Sequence, residues 1–266
     1  MRRTLQRYFV DYLPKGVATG SQKPSNPHLI TQAFRRTEVA AQKSDEAISN
    51  KGFYFAPKLD YDTAMGVAPL LSREQFALQQ VFHRDAIDTL NQLTIGTELE
   101  GHSLDVVIRK TSFDATRAAI HTAAAEHFNY CFWYKSLRPW GVSVPSVLRE
   151  ELQLQYSRNG MLDGVEEVQR LMLLSAQNQL SRCGWVYLVW TGRMFDVLEF
   201  SHGTCPIGSG LVPLLALNVH TSSFAHDYAP LDPNGDDGLE IYVHNFFKTC
   251  NWGLAHRYFT EANVKE

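Results

Sequence analysis

Histidine, cysteine and carboxylate side chains cluster in a few stretches of this chain, and their spacing limits the chemistry each can support. His121, Glu126, His127 and Cys131 share one stretch of helical periodicity, where His127 and Cys131, four residues apart, face the same way. Two such donors are half of a zinc site; the sequence shows no second half, so a structural role is expected for them. His220 and His226 stand six apart at a strand end and do not share one ligand face. Gly203–Gly210 (GTCPIGSG) is glycine-rich but lacks the GK[ST] phosphate signature, and reads as a loop feeding a strand. Gly235-Asp236-Asp237-Gly238 resembles part of a calcium loop without its further carboxylates, and reads as a solvated loop. The four cysteines, Cys131, Cys183, Cys205 and Cys250, form no CxxC pair, so reduced, buried thiols are expected rather than a disulfide scaffold or a zinc finger.

The elements that must position these residues follow from periodicity. Leu71, Leu78, Phe82, Ala86, Leu90 and Leu93 form an apolar stripe along a helix over 71–93, with Ser72 and Gln75 as a capping box at its start. GTELEG (Gly96–Gly101) breaks this helix. A short helix is expected over 105–110 and a second long one over 114–137, ending at Pro139. Two long helices with a short connection predict an antiparallel hairpin. Beyond Pro139, helices are expected over 145–156 and 163–182, the latter capped by Asp163 and Glu166 and carrying Arg182 near its end. Three strand-like runs follow at 184–190, 194–200 and 214–220, the first two joined by a Thr191-Gly192 turn, and helices over 239–250 and 252–259 close the chain.

With 266 residues, 44% apolar and 20% charged, the chain has the makings of one large domain or two small ones, which excludes disorder as its main state. No apolar run reaches the roughly 18 residues of a bilayer span; the longest candidate, Leu211–Val219, carries Pro213 and Asn218. The net charge of −3 hides an asymmetry: residues 1–37 carry +6, leaving −9 on the remainder. Leu5, Tyr8, Phe9, Tyr12 and Leu13 lie at helical spacing, with Arg2, Arg3 and Arg7 largely outside that stripe. This pattern fits a mitochondrial import sequence and predicts a mitochondrial matrix location. The expected organisation is a basic extension and linker over 1–52, a helical hairpin over 53–139 and an α/β unit over 140–266.

Five blocks carry a resemblance to a known family. GTELEGHSLDVVIRKTS, NYCFWYKSLRP, GWVYLVW, PLLALNVHTSSFAHDY and NWGLAHRYF occur in the order and approximate spacing of the iron/manganese superoxide dismutases, over about Pro57–Phe259. The resemblance implies an α+β fold: an N-terminal antiparallel helical hairpin, then a three-stranded antiparallel sheet with flanking helices. It also implies one redox-active iron or manganese ion held by three histidines and one aspartate, a donor set that suits those metals. Carried over residue by residue, those ligand positions fall on Gln79 (Leu78 in a register shifted by one), Tyr130, Asn218 and Ser222. Glu126 stands at the family's outer glutamine, Ile87 (Ala86 in the shifted register) at its gateway tyrosine, and Thr221 at the glutamate that bonds across its dimer; His83 and Trp185 remain.

From this the chain is expected to bind no metal and no cofactor, to have no catalytic residue and not to be an enzyme. The resemblance then points to the dismutase-like proteins of the small subunit of mitochondrial ribosomes. The expected partners are small-subunit ribosomal proteins and a second dismutase-like chain forming a heterodimer. Any rRNA contact is expected through the basic tail, because phosphate affinity comes from clustered Lys and Arg. No membrane partner is expected.

Overall fold

The computed structural model describes residues 49–50, 53–156, 163–179, 183–228 and 238–263. The amphipathic stretch from Leu5 to Leu13, the linker apart from residues 49–50, Arg182, and the Gly235-Asp236-Asp237 run lie outside the described residues. A two-residue ladder pairs β1 (Ser49–Asn50) with β2 (Phe53–Tyr54). Helices α1 (Arg73–Thr94), α2 (Leu104–Thr111) and α3 (Ala118–Ser136) follow, a short 3-10 turn at Ala115–Arg117 leading into α3. Phe76 meets Tyr134, and further along α1 His83 meets Tyr130 and His127, so α1 and α3 run antiparallel as expected.

After Pro139 come α4 (Ser146–Tyr156) and α5 (Gly164–Asn178), then strands β3 (Gly184–Trp190), β4 (Phe195–Ser201) and β5 (Val212–Asn218). Helices α6 (Gly238–Phe247) and α7 (Trp252–Asn263) follow. The sheet is antiparallel throughout, in the order β4-β3-β5. Helix α5 packs on β3 and β4, while α3 and α7 pack on β5. The central strand GWVYLVW is therefore covered by helices and reads as one continuous apolar run rather than an alternating one. Pro213 sits in β5, an edge strand where its missing N–H costs no ladder bond on the open side, and a register irregularity falls beside it between Leu188 and Val189.

Two expectations about α1 are corrected. Ser72 does cap the helix, accepting from the Gln75 N–H at 3.1 Å, but the reciprocal half of the capping box is missing. The Gln75 side chain instead donates to the Ser222 carbonyl at 2.7 Å, while the Ser72 N–H is taken by Asp227 at 2.6 Å. The buried stripe is also turned. Gln75, Phe76, Gln79, His83, Ile87, Leu90 and Thr94 face inward, while Leu78 and Phe82 are 38% and 37% exposed. An all-apolar reading of the helix chose the wrong edge because its inward face is partly polar. Among the cysteines, Cys131, Cys205 and Cys250 are buried, but Cys183 is exposed, which corrects the expectation of four buried ones.

Close approach fixes one glycine. A Cβ on Gly164, the first residue of α5, would stand 2.5 Å from the Leu152 carbonyl group and 2.6 Å from the Gln153 nitrogen, backbone atoms of α4 that cannot turn aside. Gly164 also donates its N–H to Gln153 Oε1 at 2.7 Å, so this contact sets how the two helices meet. Gly164→Ala is expected to destabilise the chain by about 1–3 kcal/mol, the usual cost of overpacking, with a lower urea midpoint and an unchanged slope.

Candidate functional site

The positions that the resemblance assigns to metal ligands come together at the junction of α1, α3 and the end of β5. Gln79 is fully buried; its Nε2 donates to the Ser222 carbonyl at 2.7 Å, and its Oε1 faces Asn218 Nδ2 at 3.5 Å. Asn218 ends β5 and accepts the His220 N–H on its Oδ1 at 3.1 Å. Burial, followed by the nearby Glu126 charge, holds the Tyr130 phenol well above its ordinary pKa, hence neutral, with the Asn218 side chain acting the other way. Ser222 belongs to a 3-10 turn and contributes its backbone carbonyl, which also receives Gln75. This geometry places Gln79, not Leu78, in the cluster, and with it Ile87 on the inner face of α1.

As a donor set these four do not fit iron or manganese. Two amides, a neutral phenol and a serine carry no anionic group to offset a trivalent ion, and the amide atoms are spent on one another and on backbone.

The potential ligands lie to either side. Glu126, on α3, is buried and accepts the Gly203 N–H at 2.7 Å and, more weakly, Trp185 Nε1 at 3.4 Å. Desolvation raises its pKa from the ordinary value, partly opposed by the Gly203 bond and by His202, whose Nδ1 lies 3.4 Å away. His220 completes this group: one ligand atom from each of Glu126, His202 and His220 lies within 4.8 Å of the others. Burial pushes His220 down to about 4, and its Nε2 is buried without a hydrogen-bond partner. His202 carries no motif; only the antiparallel register, in which Gly184 faces Ser201, sets it beside β3 and so beside Glu126. His226 does not join, its Nδ1 lying 2.9 Å from Asp227.

The second group answers the question left open by His127 and Cys131. His83 reaches across from α1 so that its Nε2 lies 2.8 Å from His127 Nδ1 and 3.7 Å from Cys131 Sγ. One further donor therefore stands on the other helix of the hairpin, which makes three. Burial drives His83 down to about 3 and His127 well below its ordinary value, so both imidazoles are neutral at physiological pH. His121 stands apart, beside Thr111 at 3.1 Å, and the four residues once grouped on α3 divide among three neighbourhoods.

Gln79→Leu tests the hydrogen-bonded cluster. It strips partners from Asn218 and from the Ser222 carbonyl and is expected to cost about 1–3 kcal/mol in urea unfolding. Leu78→Gln, on the outward face, is expected to stay within about 0.5 kcal/mol of the parent. Equal effects from the two substitutions would refute this placement of α1.

No protein-family model matches the chain. Curated relatives do. The chain is 26% identical over 205 residues to "Superoxide dismutase [Fe]" of Synechocystis, covering 76% of this chain and 96% of the relative. It is 25% identical over 211 residues to the protein of the same name from Synechococcus elongatus, covering 79% and 98%. With that of Nostoc it shares 28% over 182 residues, covering 68% and 84%. These names correct the expectation that the chain is not an enzyme, because its relatives are named for an enzymatic activity, although at low identity. The chain is superoxide dismutase-like in sequence and has the α+β iron/manganese superoxide dismutase-like fold.

Proposed function

We propose that this chain is a structural component of the small subunit of the mitochondrial ribosome, a protein-binding scaffold in mitochondrial translation paired with a second dismutase-like chain. The observation that carries this reading is the closed cluster at the ligand positions, where Gln79 and Asn218 bond to each other and to backbone instead of converging on one centre. A fold whose core stands around such a cluster is suited to presenting a surface, since function resides in the site rather than in the fold.

Charge and exposed surface support the same reading. Residues beyond 37 carry −9, which suits protein neighbours better than phosphate, and the +6 of the first 37 residues is where rRNA contact would be made. On the outward face of α1, Leu78, Val81 and Phe82 are exposed at helical spacing, an apolar strip of the kind a partner covers. Thr221 and Ser222 stand where the resemblance puts the cross-dimer glutamate and its histidine, which favours a non-identical partner. In a density gradient of mitochondrial lysate, the chain is expected to travel with small-subunit rRNA through a high-salt wash. Migration at the size of a monomer or dimer would sink the proposal.

A second reading is superoxide dismutation at displaced ligands. It is favoured by the relatives' names and by Glu126, His202 and His220, a carboxylate and two imidazoles of the type that holds iron or manganese. His202 is 58% exposed, so a small anion could reach this group. On this reading the purified chain carries one iron or manganese per molecule, and His202→Gln lowers superoxide consumption about 10-fold or more, as loss of a metal partner does. A purified chain with neither metal nor activity ends it.

A further inference from the structure

His83 Nε2, His127 Nδ1 and Cys131 Sγ form a triangle. Its edges are 2.8 Å between the nitrogens, 3.5 Å from His127 to the sulfur and 3.7 Å from His83 to the sulfur. An ion with imidazole nitrogens at about 2.0–2.1 Å and a thiolate at about 2.3 Å keeps its donors about 3.3–3.8 Å apart. Both sulfur edges already lie in that range. The nitrogen edge is shorter because the two imidazoles share a hydrogen bond, and small torsional changes of about half an ångström open it to the same range.

We propose that His83, His127 and Cys131 form a buried three-donor site for a soft transition-metal ion, copper(I). All three side chains are buried, at 2%, 0% and 3% exposure, and among the described residues no fourth histidine, cysteine or carboxylate joins their group. Structural zinc sites are four-coordinate, usually with four protein ligands, whereas a thiolate with two imidazoles in a trigonal set suits copper. The proton balance closes within the cluster and solvent. Cys131 gives up its thiol proton to water, and the proton shared by the two imidazoles moves to an outer ring nitrogen. His127 Nε2 is buried without a partner and is free to carry it.

This site is distinct from the ligand positions of the resemblance and from the Glu126 group. The Tyr130 ring, which belongs to those ligand positions, lies stacked on His83 at 5.1 Å. A bound ion would tie α1 to α3 in the middle of the hairpin. It depends on neither the ribosomal nor the dismutase reading.

Because the donors are buried, the test loads the ion during folding. The full chain is refolded from denaturant with copper(I) under anaerobic conditions, then washed with a copper(I) chelator. The expected result is one copper per chain, a near-ultraviolet sulfur-to-copper absorption and a higher melting temperature than the copper-free chain. Cys131→Ser is expected to retain less than a tenth of that copper and to lose the absorption, while Cys183→Ser, at the exposed cysteine, retains it in full. His83→Gln, whose amide can keep a bond to His127, provides a second variant that must also lose the ion if Cys131→Ser fails to fold. Copper removed from the parent by the chelator would overturn the proposal. So would copper kept by folded Cys131→Ser or His83→Gln, or zinc outcompeting copper(I) for the site.

Discussion

Gln75, Gln79 and His83 are buried one turn apart on the inner face of α1, and much of the surrounding structure is arranged to satisfy them. A buried polar group without a partner costs about 1–3 kcal/mol, so three in a row cannot be left open. Gln75 and Gln79 converge on the single carbonyl of Ser222, which fixes the chain as it leaves β5. Gln75 Oε1 also takes the His226 N–H, and Ser72 takes both carboxylate oxygens of Asp227 through its N–H and hydroxyl. The start of α1 is thereby stitched to residues 222–227. One turn further on, His83 is held by His127 and stacked by Tyr130, which ties the same face to α3.

This constraint separates what could be read in the sequence from what could not. The three strands were legible because β3 and β5 are dense apolar runs and the Thr191–Met194 turn closes with Thr191 donating to the Met194 carbonyl at 3.0 Å. The cap on α5 was legible because Asp163 and Glu166 act locally, within one turn. On α1 the rule of apolar residues inside pointed to Leu78 and Phe82, which are substantially exposed. The polar residues that replace them inside have partners more than 40 positions away, which no local pattern records. Gln75 failed as a capping residue for the same reason: its Oε1 takes the distant His226 N–H, and the Ser72 N–H goes to Asp227.

The site was legible in part for a related reason. The resemblance pointed to Tyr130, Asn218 and Ser222 because each sits in a recognisable block, while in the stretch before those blocks it left Gln79 and Leu78 as alternatives, of which Gln79 faces inward. His202 sits in none, and reaches Glu126 only through strand pairing and the bend that brings the Gly203 N–H onto the same carboxylate. His83 was visible as a histidine, but its meeting with His127 and Cys131 depends on the rotation of α1, the feature that the apolar stripe misassigned.

Helix α3 is where these strands of evidence meet. Glu126 turns toward the sheet and the loop after β4, His127 and Cys131 turn toward α1, and Tyr130 reaches Asn218 between them. Helical geometry requires this division: positions four apart share a face, while neighbouring residues diverge by about 100°. Tyr130 stands between them, its ring stacked on His83 at 5.1 Å and edge-on to Trp185 at 5.3 Å. The Glu126 charge already acts across that space, adding to burial in keeping the phenol protonated. Asn218 donates to Gln79 Oε1 at 3.5 Å, and Gln79 Nε2 in turn holds the Ser222 carbonyl at 2.7 Å. The buried carboxylate on one side of α3 thus acts, after burial, on the phenol that stands at one of the family's ligand positions on the other.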